Sequence, residues 1–141
     1  MTRLIMLDTN TCSFIMRKRP PTILETMTRY VLEGNLLVIS AITYLELRYG
    51  AIGKKASPKH NLLVTEFVDR IDEVVGFDRE AVESTARLKK HLSDRGTPIC
   101  PNDTLIAGHA LAIDAVLVTD NLAEFGRVPD LELENWKTGS Q

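Results

Sequence analysis

A chain of 141 residues, 44% hydrophobic and 26% charged, is one domain's length. It can bury its own core and is too evenly mixed for a disordered, fibrous or membrane protein. Its net charge of −2 excludes neither nucleic acid nor a small anionic substrate, so local charge has to decide. Cys12 and Cys100 stand alone, outside any CxxC or metal-ligand spacing, and read as reduced thiols. With no signal-peptide pattern and no apolar run approaching ~18 residues, a single cytoplasmic domain spanning 1–141 is expected, its last residues from about 137 a loose tail.

Leu4-Ile5-Met6-Leu7 runs into Asp8 without a turn residue, the pattern of a strand buried on both faces with an acid at its carboxyl end. Thr9 to Met16 suits a short helix closed by the positive charge of Arg17-Lys18-Arg19, and after Pro20-Pro21 a second helix carries Leu24, Met27 and Val31 up to Gly34. Leu36 to Ser40 is a second buried strand. The helix predicted over Ile42 to Gly53 puts Glu46 in a stripe with Ile42 and Tyr49, where an unpaired carboxylate is strongly unfavourable. Glu46 therefore needs a cation or a hydrogen-bonding partner, or the stripe is less buried than its composition suggests.

A basic connection, Gly53 to His60, precedes a helix marked by Val64, Phe67, Val68 and Ile71, and Glu73 to Phe77 is a weaker strand. Asp78 can cap a helix with an inward stripe of Ala81, Thr85, Leu88 and Leu92 that Gly96 ends. The stiff loop Pro98 to Asp103 leads into a helix carrying Ile106, Ala110 and Ile113. Ala115 to Thr119 is the third clear strand, ending in Asp120-Asn121 before a short helix to Phe125. Leu131 to Leu133 is a candidate final strand, and Trp136 is expected to pack.

Taken singly, Asp8, Asp103 and Asp120 each sit where aspartate caps helices. Strands of a parallel α/β sheet share one carboxyl edge, however, so Asp8, Asp120 and the helix-borne Glu46 and Asp103 can meet there. Four converging carboxylates repel unless cations hold them, and their hard oxygens suit Mg²⁺ or Mn²⁺ rather than zinc. His60, His91 and His109 show no ligand spacing. An all-oxygen site of this kind suits phosphodiester hydrolysis, and no Ser-His-Asp pattern, Walker loop or GxGxxG competes with it. Arg17-Lys18-Arg19 and Lys54-Lys55-Lys59 are candidate phosphate contacts on the rim, against the alternative of solvated charge runs. Tyr44 or Tyr49 is a candidate to stack on a base, with core packing the competing use.

Four segments resemble a known family: Leu7-Asp8-Thr9-Asn10; Ile42-Thr43-Tyr44-Leu45-Glu46 with Tyr49-Gly50; Asn102-Asp103 with Ile106-Ala107-Gly108-His109-Ala110; and Val118-Thr119-Asp120-Asn121 with Glu124-Phe125. They look like PIN-domain ribonucleases, specifically the VapC toxins of bacterial type II toxin-antitoxin modules, from Met6 to about Trp136. The resemblance implies a three-layer α/β/α domain around a mainly parallel sheet and an Mg²⁺-dependent endoribonuclease that inhibits translation. In it Asp8 and Asp103 are the principal metal ligands. Glu46 and Asp120 complete the acidic pocket directly or through water, and Thr9 and Asn10 support it. It further implies cleavage by metal-activated water to a 5′-phosphate and a 3′-hydroxyl, a homodimer, a cognate antitoxin, and tRNA as substrate, with the anticodon loop of initiator tRNA the specific expectation.

Two other classes compete. An acid after the first strand also serves haloacid-dehalogenase-like phosphatases and receiver domains, but the former want a second acid where Asn10 stands, and the latter an acidic pair and a late lysine. A non-catalytic partner- or RNA-binding module would need the acids only as caps, which accounts for the aspartates and not for Glu46.

Overall fold

Apolar residues on successive strands alternate between two faces, and both faces are covered. The structure, a computed structural model, describes residues 2–53 and 56–138. Among these, five strands, β1 (Leu4–Leu7), β2 (Leu36–Ser40), β3 (Glu73–Val75), β4 (Val116–Val118) and β5 (Leu133–Glu134), form one sheet in the order β3-β2-β1-β4-β5. Every pairing is parallel, with Ile5 opposite both Leu37 and Val116.

Seven helices among the described residues flank the sheet: α1 (Thr9–Arg17), α2 (Pro21–Leu32), α3 (Ala41–Gly50), α4 (Pro58–Arg70), α5 (Arg79–Asp94), α6 (Pro101–Ala112) and α7 (Leu122–Phe125). Ile5, Leu7, Leu37, Ile39, Val116 and Val118 face a core shared with α1, α2, α4, Leu47 of α3 and Trp136. Met6, Val38 and Leu117 face the opposite core, with Leu88 and Leu92 of α5 and Ile106 and Ala110 of α6. This is the three-layer α/β/α arrangement expected from the resemblance. The α5–α6 packing depends on Gly108, where a Cβ would fall 2.1 Å from the Thr85 hydroxyl oxygen. A methyl group there would force the two helices apart, overpacking that typically costs about 1–3 kcal/mol.

The chain builds outward from β1 through β2 to β3, then returns to lay β4 on the other side of β1. That reversal opens a crevice at the carboxyl ends of β1 and β4, the point where open α/β sheets place their sites. Asp8 and the Asp120-Asn121 pair emerge there, and the Asp8 amide is bonded to the Val118 carbonyl at 3.0 Å.

Several boundaries differ from the sequence expectation for identifiable reasons. The third helix spans Ala41–Gly50, capped by Ser40, whose hydroxyl accepts the Ile42 N–H. Helix α2 buries Ile23, Thr26 and Tyr30. Its Leu24, Met27 and Val31 instead line an apolar groove with Leu63 and Phe67 of α4. The last strand is Leu133–Glu134, starting two residues later than expected, with the Glu132 and Glu134 carbonyls accepting the Leu117 and Thr119 amides. Trp136 is buried as expected. Lys137 is anchored, its carbonyl accepting the Thr22 hydroxyl at 2.8 Å and its amide donating to Asn135 at 2.9 Å. No helix among the described residues is long and apolar enough to cross a membrane.

Candidate active site

Helix starts and strand ends converge on a cleft of about 490 Å³ lined by Asp8, Thr9, Asn10, Glu46, Asn102, Asp103 and Asn121, with Cys100, Pro101 and Phe125 completing the wall. Asp8 is buried and is the N-cap of α1, accepting the Thr11 N–H at 2.8 Å. Glu46 lies on α3 facing the start of α1. It accepts hydrogen bonds from the Thr9 hydroxyl and, at 3.1 Å, from the Asn102 amide. It thus finds the partners its position demanded. The α3 stripe proves largely open as well: Glu46 is half-buried, and Tyr49 is 74% exposed.

Asp103 occupies the third residue of α6, whose N-cap is Cys100, so helix capping does not explain it. Nor does capping explain Asp120, because Asn121 is the residue that caps α7. Of the three aspartates only Asp8 is a cap.

Glu124 of α7, part of one of the four segments but given no role from sequence, meets Asp103. Its carboxylate accepts the Cys100 N–H at 3.1 Å and lies 3.6 Å from Cys100 Sγ. Ligand atoms of Cys100, Asp103 and Glu124 all lie within 4.8 Å of one another. The signal available in the sequence is an acid one helical turn beyond Asp120-Asn121, on a helix starting at the same sheet edge.

The electrostatics follow from this crowding. Burial pushes Asp103 up to about 7, reinforced by its hydrogen bond to Glu124 and by the charges of Glu124, Asp8 and Glu46. The same hydrogen bond holds Glu124 below its ordinary value, so the pair shares one proton near neutrality. Asp8 is also raised, by burial first, against hydrogen bonds from Thr119 and Thr11 and with the charge of Asp120 adding to the rise. A set of oxygen donors that repel one another in the free protein fits a hard divalent cation, which would relieve the repulsion.

Asp120 is set apart from the other three. It lies close enough to raise Asp8, but its carboxylate is 3.7 Å from Lys137 Nζ, and Asn121 is the residue of that pair that lines the cleft. His109 is buried in α6, with Nδ1 2.8 Å from the Ser40 hydroxyl and its ring edge-on to Phe77. Burial lowers its pKa, and it is not part of the cleft's lining. Tyr44 packs partly against the core and accepts a hydrogen bond from Arg48 at 3.2 Å. Of the two basic groups, Lys54 and Lys55 lie outside the described residues; Lys18 caps α1 in a left-handed conformation and lines the apolar groove.

The chain matches the PIN domain family over residues 5–131. It is 43% identical to the tRNA(fMet)-specific endonuclease VapC of Salmonella typhimurium, over 93% of this chain and 96% of that protein. It is 36% identical to ribonuclease VapC2 of Rickettsia felis, over 93% and 96%. Its fold superposes with a TM-score of 0.86 on the crystal structure of VapBC2 from Rickettsia felis bound to a DNA fragment from their promoter, at 34% identity, covering 94% of this chain and 98% of that one. A matched domain, relatives similar over nearly their whole length and an acidic cleft at the sheet's switch point agree: the chain belongs to the PIN domain family and, within it, to the VapC ribonucleases.

Proposed function

We propose that this chain is a divalent-metal-dependent endoribonuclease toxin acting on tRNA, with Asp8, Glu46, Asp103 and Asp120 forming its acidic site and Glu124 joining them. The observation that carries the reading is the gathering of Asp8, Glu46 and Asp103 around one cleft with Glu124 against Asp103, which burial and its acidic neighbours push up to about 7. Asp103 crowded by other acids fits a carboxylate poised for a cation.

Asp8 and Asp103 would hold Mg²⁺ or Mn²⁺, with Glu46 and Glu124 in support, and Asp120 acting on Asp8 through its charge or through water. A cation held there supplies Lewis acidity to phosphodiester hydrolysis. The chain's own residues do the rest. The Thr11 backbone N–H and Thr119 fix the Asp8 carboxylate, while Thr9 and Asn102 fix Glu46, so the ligand oxygens are set before substrate binds. To hold a cation Asp103 would have to be free of the proton it shares with Glu124, and Glu124, anchored by the Cys100 backbone N–H, is placed to hold that proton beside the cleft.

The substrate reading rests on the relative named a tRNA(fMet)-specific endonuclease, and initiator tRNA is the first RNA to try. A cognate antitoxin is proposed on the likeness to VapBC assemblies, including the one from Salmonella typhimurium, which has a TM-score of 0.85 and 38% identity. A homodimer is proposed on the resemblance alone. The test is incubation of purified, antitoxin-free protein with total tRNA in Mg²⁺, in EDTA, and with Asp8→Asn as control. Discrete fragments requiring both Asp8 and metal support the reading, and sequencing of the ends identifies the RNA. A folded protein that cleaves no tRNA, ribosomal RNA or messenger RNA overturns it.

A further inference from the structure

The acidic cleft poses a problem for any polyanionic substrate: a phosphate chain must approach a surface carrying Asp8, Glu46, Asp103, Asp120 and Glu124. Cations flanking the cleft have to offset that repulsion. Three of the described cations are committed elsewhere. Arg127 donates to the Pro98 carbonyl at 3.0 Å and lies near Glu124, Arg48 is bonded to Asn61 and Thr65, and Arg3 pairs with Glu132.

Two meet at one aromatic ring on α1, the helix whose first turn lines the cleft. Asn10, Phe14 and Arg17 fall at i, i+4 and i+7 on α1, so one face of the helix leads from the cleft, which Asn10 lines, to Phe14 about 6 Å further along the axis. The Arg17 guanidinium lies 5.3 Å from the centre of the Phe14 ring, and Lys137 Nζ lies 4.6 Å from the same ring. Such contacts restrain flexible side chains without consuming their hydrogen-bond donors. Arg17 is exposed and has no acidic partner among the described residues. Lys137 is half-exposed and ion-paired with Asp120 at 3.7 Å, beyond hydrogen-bond range, so its ammonium donors remain open to a phosphate. Its backbone is pinned through main-chain atoms by Thr22 and Asn135.

We propose that Arg17 and Lys137, presented by Phe14, form a binding site for backbone phosphates of the RNA strand one or two nucleotides from the scissile bond. This rests on the ribonuclease reading and extends it to the direction in which the strand leaves the cleft, along α1 toward the carboxyl-terminal segment. Because cations occupy the Phe14 ring, the site reads phosphate and not base, so its contribution is independent of sequence.

The test compares wild type with Arg17→Ala, Lys137→Ala and the double variant. Binding of a fluorescein-labelled single-stranded oligoribonucleotide is measured by anisotropy in EDTA over a range of salt, and kcat and KM are measured on cleaved tRNA in Mg²⁺. Each single substitution is expected to weaken binding about fivefold and lower the slope of log affinity against log salt by about 0.7, with about 1.4 for the double variant. KM rises correspondingly while kcat holds. Arg17→Lys and Lys137→Arg should stay within about twofold of wild type, which a purely structural role would not predict. A folded double variant with unchanged affinity, KM and salt slope overturns the proposal while leaving the nuclease intact. A fall in kcat alone also overturns it, since Lys137 would then act through Asp120. Wild-type protein that neither binds nor cleaves RNA overturns the ribonuclease reading and this site with it.

Discussion

Glu134 and the acids of the cleft lie near the carboxyl edge of the same sheet, and their surroundings differ. Glu134, on β5 in register with Val118, is buried with Tyr30 and Trp136 around it. Its Oε1 accepts the Trp136 indole N–H at 3.0 Å and the Tyr30 hydroxyl, and the two rings pack with centroids 5.0 Å apart. Burial and the bond to Glu134 push Tyr30 up to about 12, so it remains a donor at any physiological pH. Asp103 and Glu124 instead face each other, with Asp8 and Glu46 nearby. A buried acid is therefore no sign of function by itself. What separates the two groups is that Glu134 meets neutral donors, whereas Asp103 and Glu124 meet each other with further acids nearby.

If that contrast is the functional one, the largest effects of substitution fall on opposite properties. Asp8→Asn and Asp103→Asn should each lower RNA cleavage by on the order of a thousandfold, the loss of several kcal/mol of charge stabilisation, with the fold retained. The side-chain carbonyl that Asp8→Asn leaves in place can still accept the Thr11 N–H that caps α1, so circular dichroism and the urea midpoint of that variant should match wild type. Cleavage retained in both variants would remove the site assignment. Glu134→Ala should do the reverse. It strands two buried donors, at about 1–3 kcal/mol each, so a destabilisation of about 3 kcal/mol in urea is expected, with cleavage by the folded fraction unchanged. Glu134→Gln keeps an acceptor and should cost about 1 kcal/mol. If Glu134→Ala were neutral in stability, satisfied burial would no longer distinguish this acid from the cleft acids.

Smaller effects test the supporting acids. Glu46→Gln and Glu124→Gln should each reduce cleavage by about 10–100-fold, the range for groups that orient or tune a metal's ligands. If Glu124→Gln were as damaging as Asp103→Asn, the two would be equal members of the ligand set. If Glu46→Gln were silent, its bonds to Thr9 and Asn102 would be structural only.

Much of this is legible in the sequence because it depends on local pattern. Unbroken runs such as Leu4 to Leu7 and Ala115 to Thr119 announce doubly covered parallel strands, and an acid after such a strand is placed by the fold's geometry. Glu46 stands out because a carboxylate among apolar neighbours needs a reason. Glu124 carries no such anomaly: an acid in the first turn of a short helix is ordinary, and only the packing of α7 against the start of α6 brings it to Asp103. The Lys137 segment looks like a tail in the sequence because its anchors, Thr22 and Asp120, are distant along the chain, and a helical or strand period cannot report them. Likewise the buried face of α2 differs from its apolar stripe because Thr26 and Tyr30 face inward, the latter to reach Glu134.

The finest test of the contrast is a dependence on pH. Folding raises Asp103 from an ordinary value near 3.8 to about 7, so between these limits the folded protein keeps a proton that the unfolded chain has released. Stability from this group is therefore fully present below about pH 4 and is lost as pH rises through 7. His109 works in the opposite sense, since burial lowers its pKa and its protonation in the unfolded chain weakens the fold as pH falls. Comparing wild type with Asp103→Asn cancels that contribution, and the variant's amide can still donate to Glu124 as the protonated acid does. In metal-free urea titrations the variant should be more stable than wild type at about pH 8, by about 1–2 kcal/mol once solvent screening of a half-buried group is allowed for, and equal to it near pH 4. Mg²⁺ should reverse the order at about pH 8 by stabilising wild type alone, and its affinity should fall by up to about tenfold per pH unit below about 7, because Asp103 must lose its proton to bind. A stability gap that does not change with pH would mean that Asp103 titrates as an ordinary carboxylate, and the cleft acids would then be as settled as Glu134.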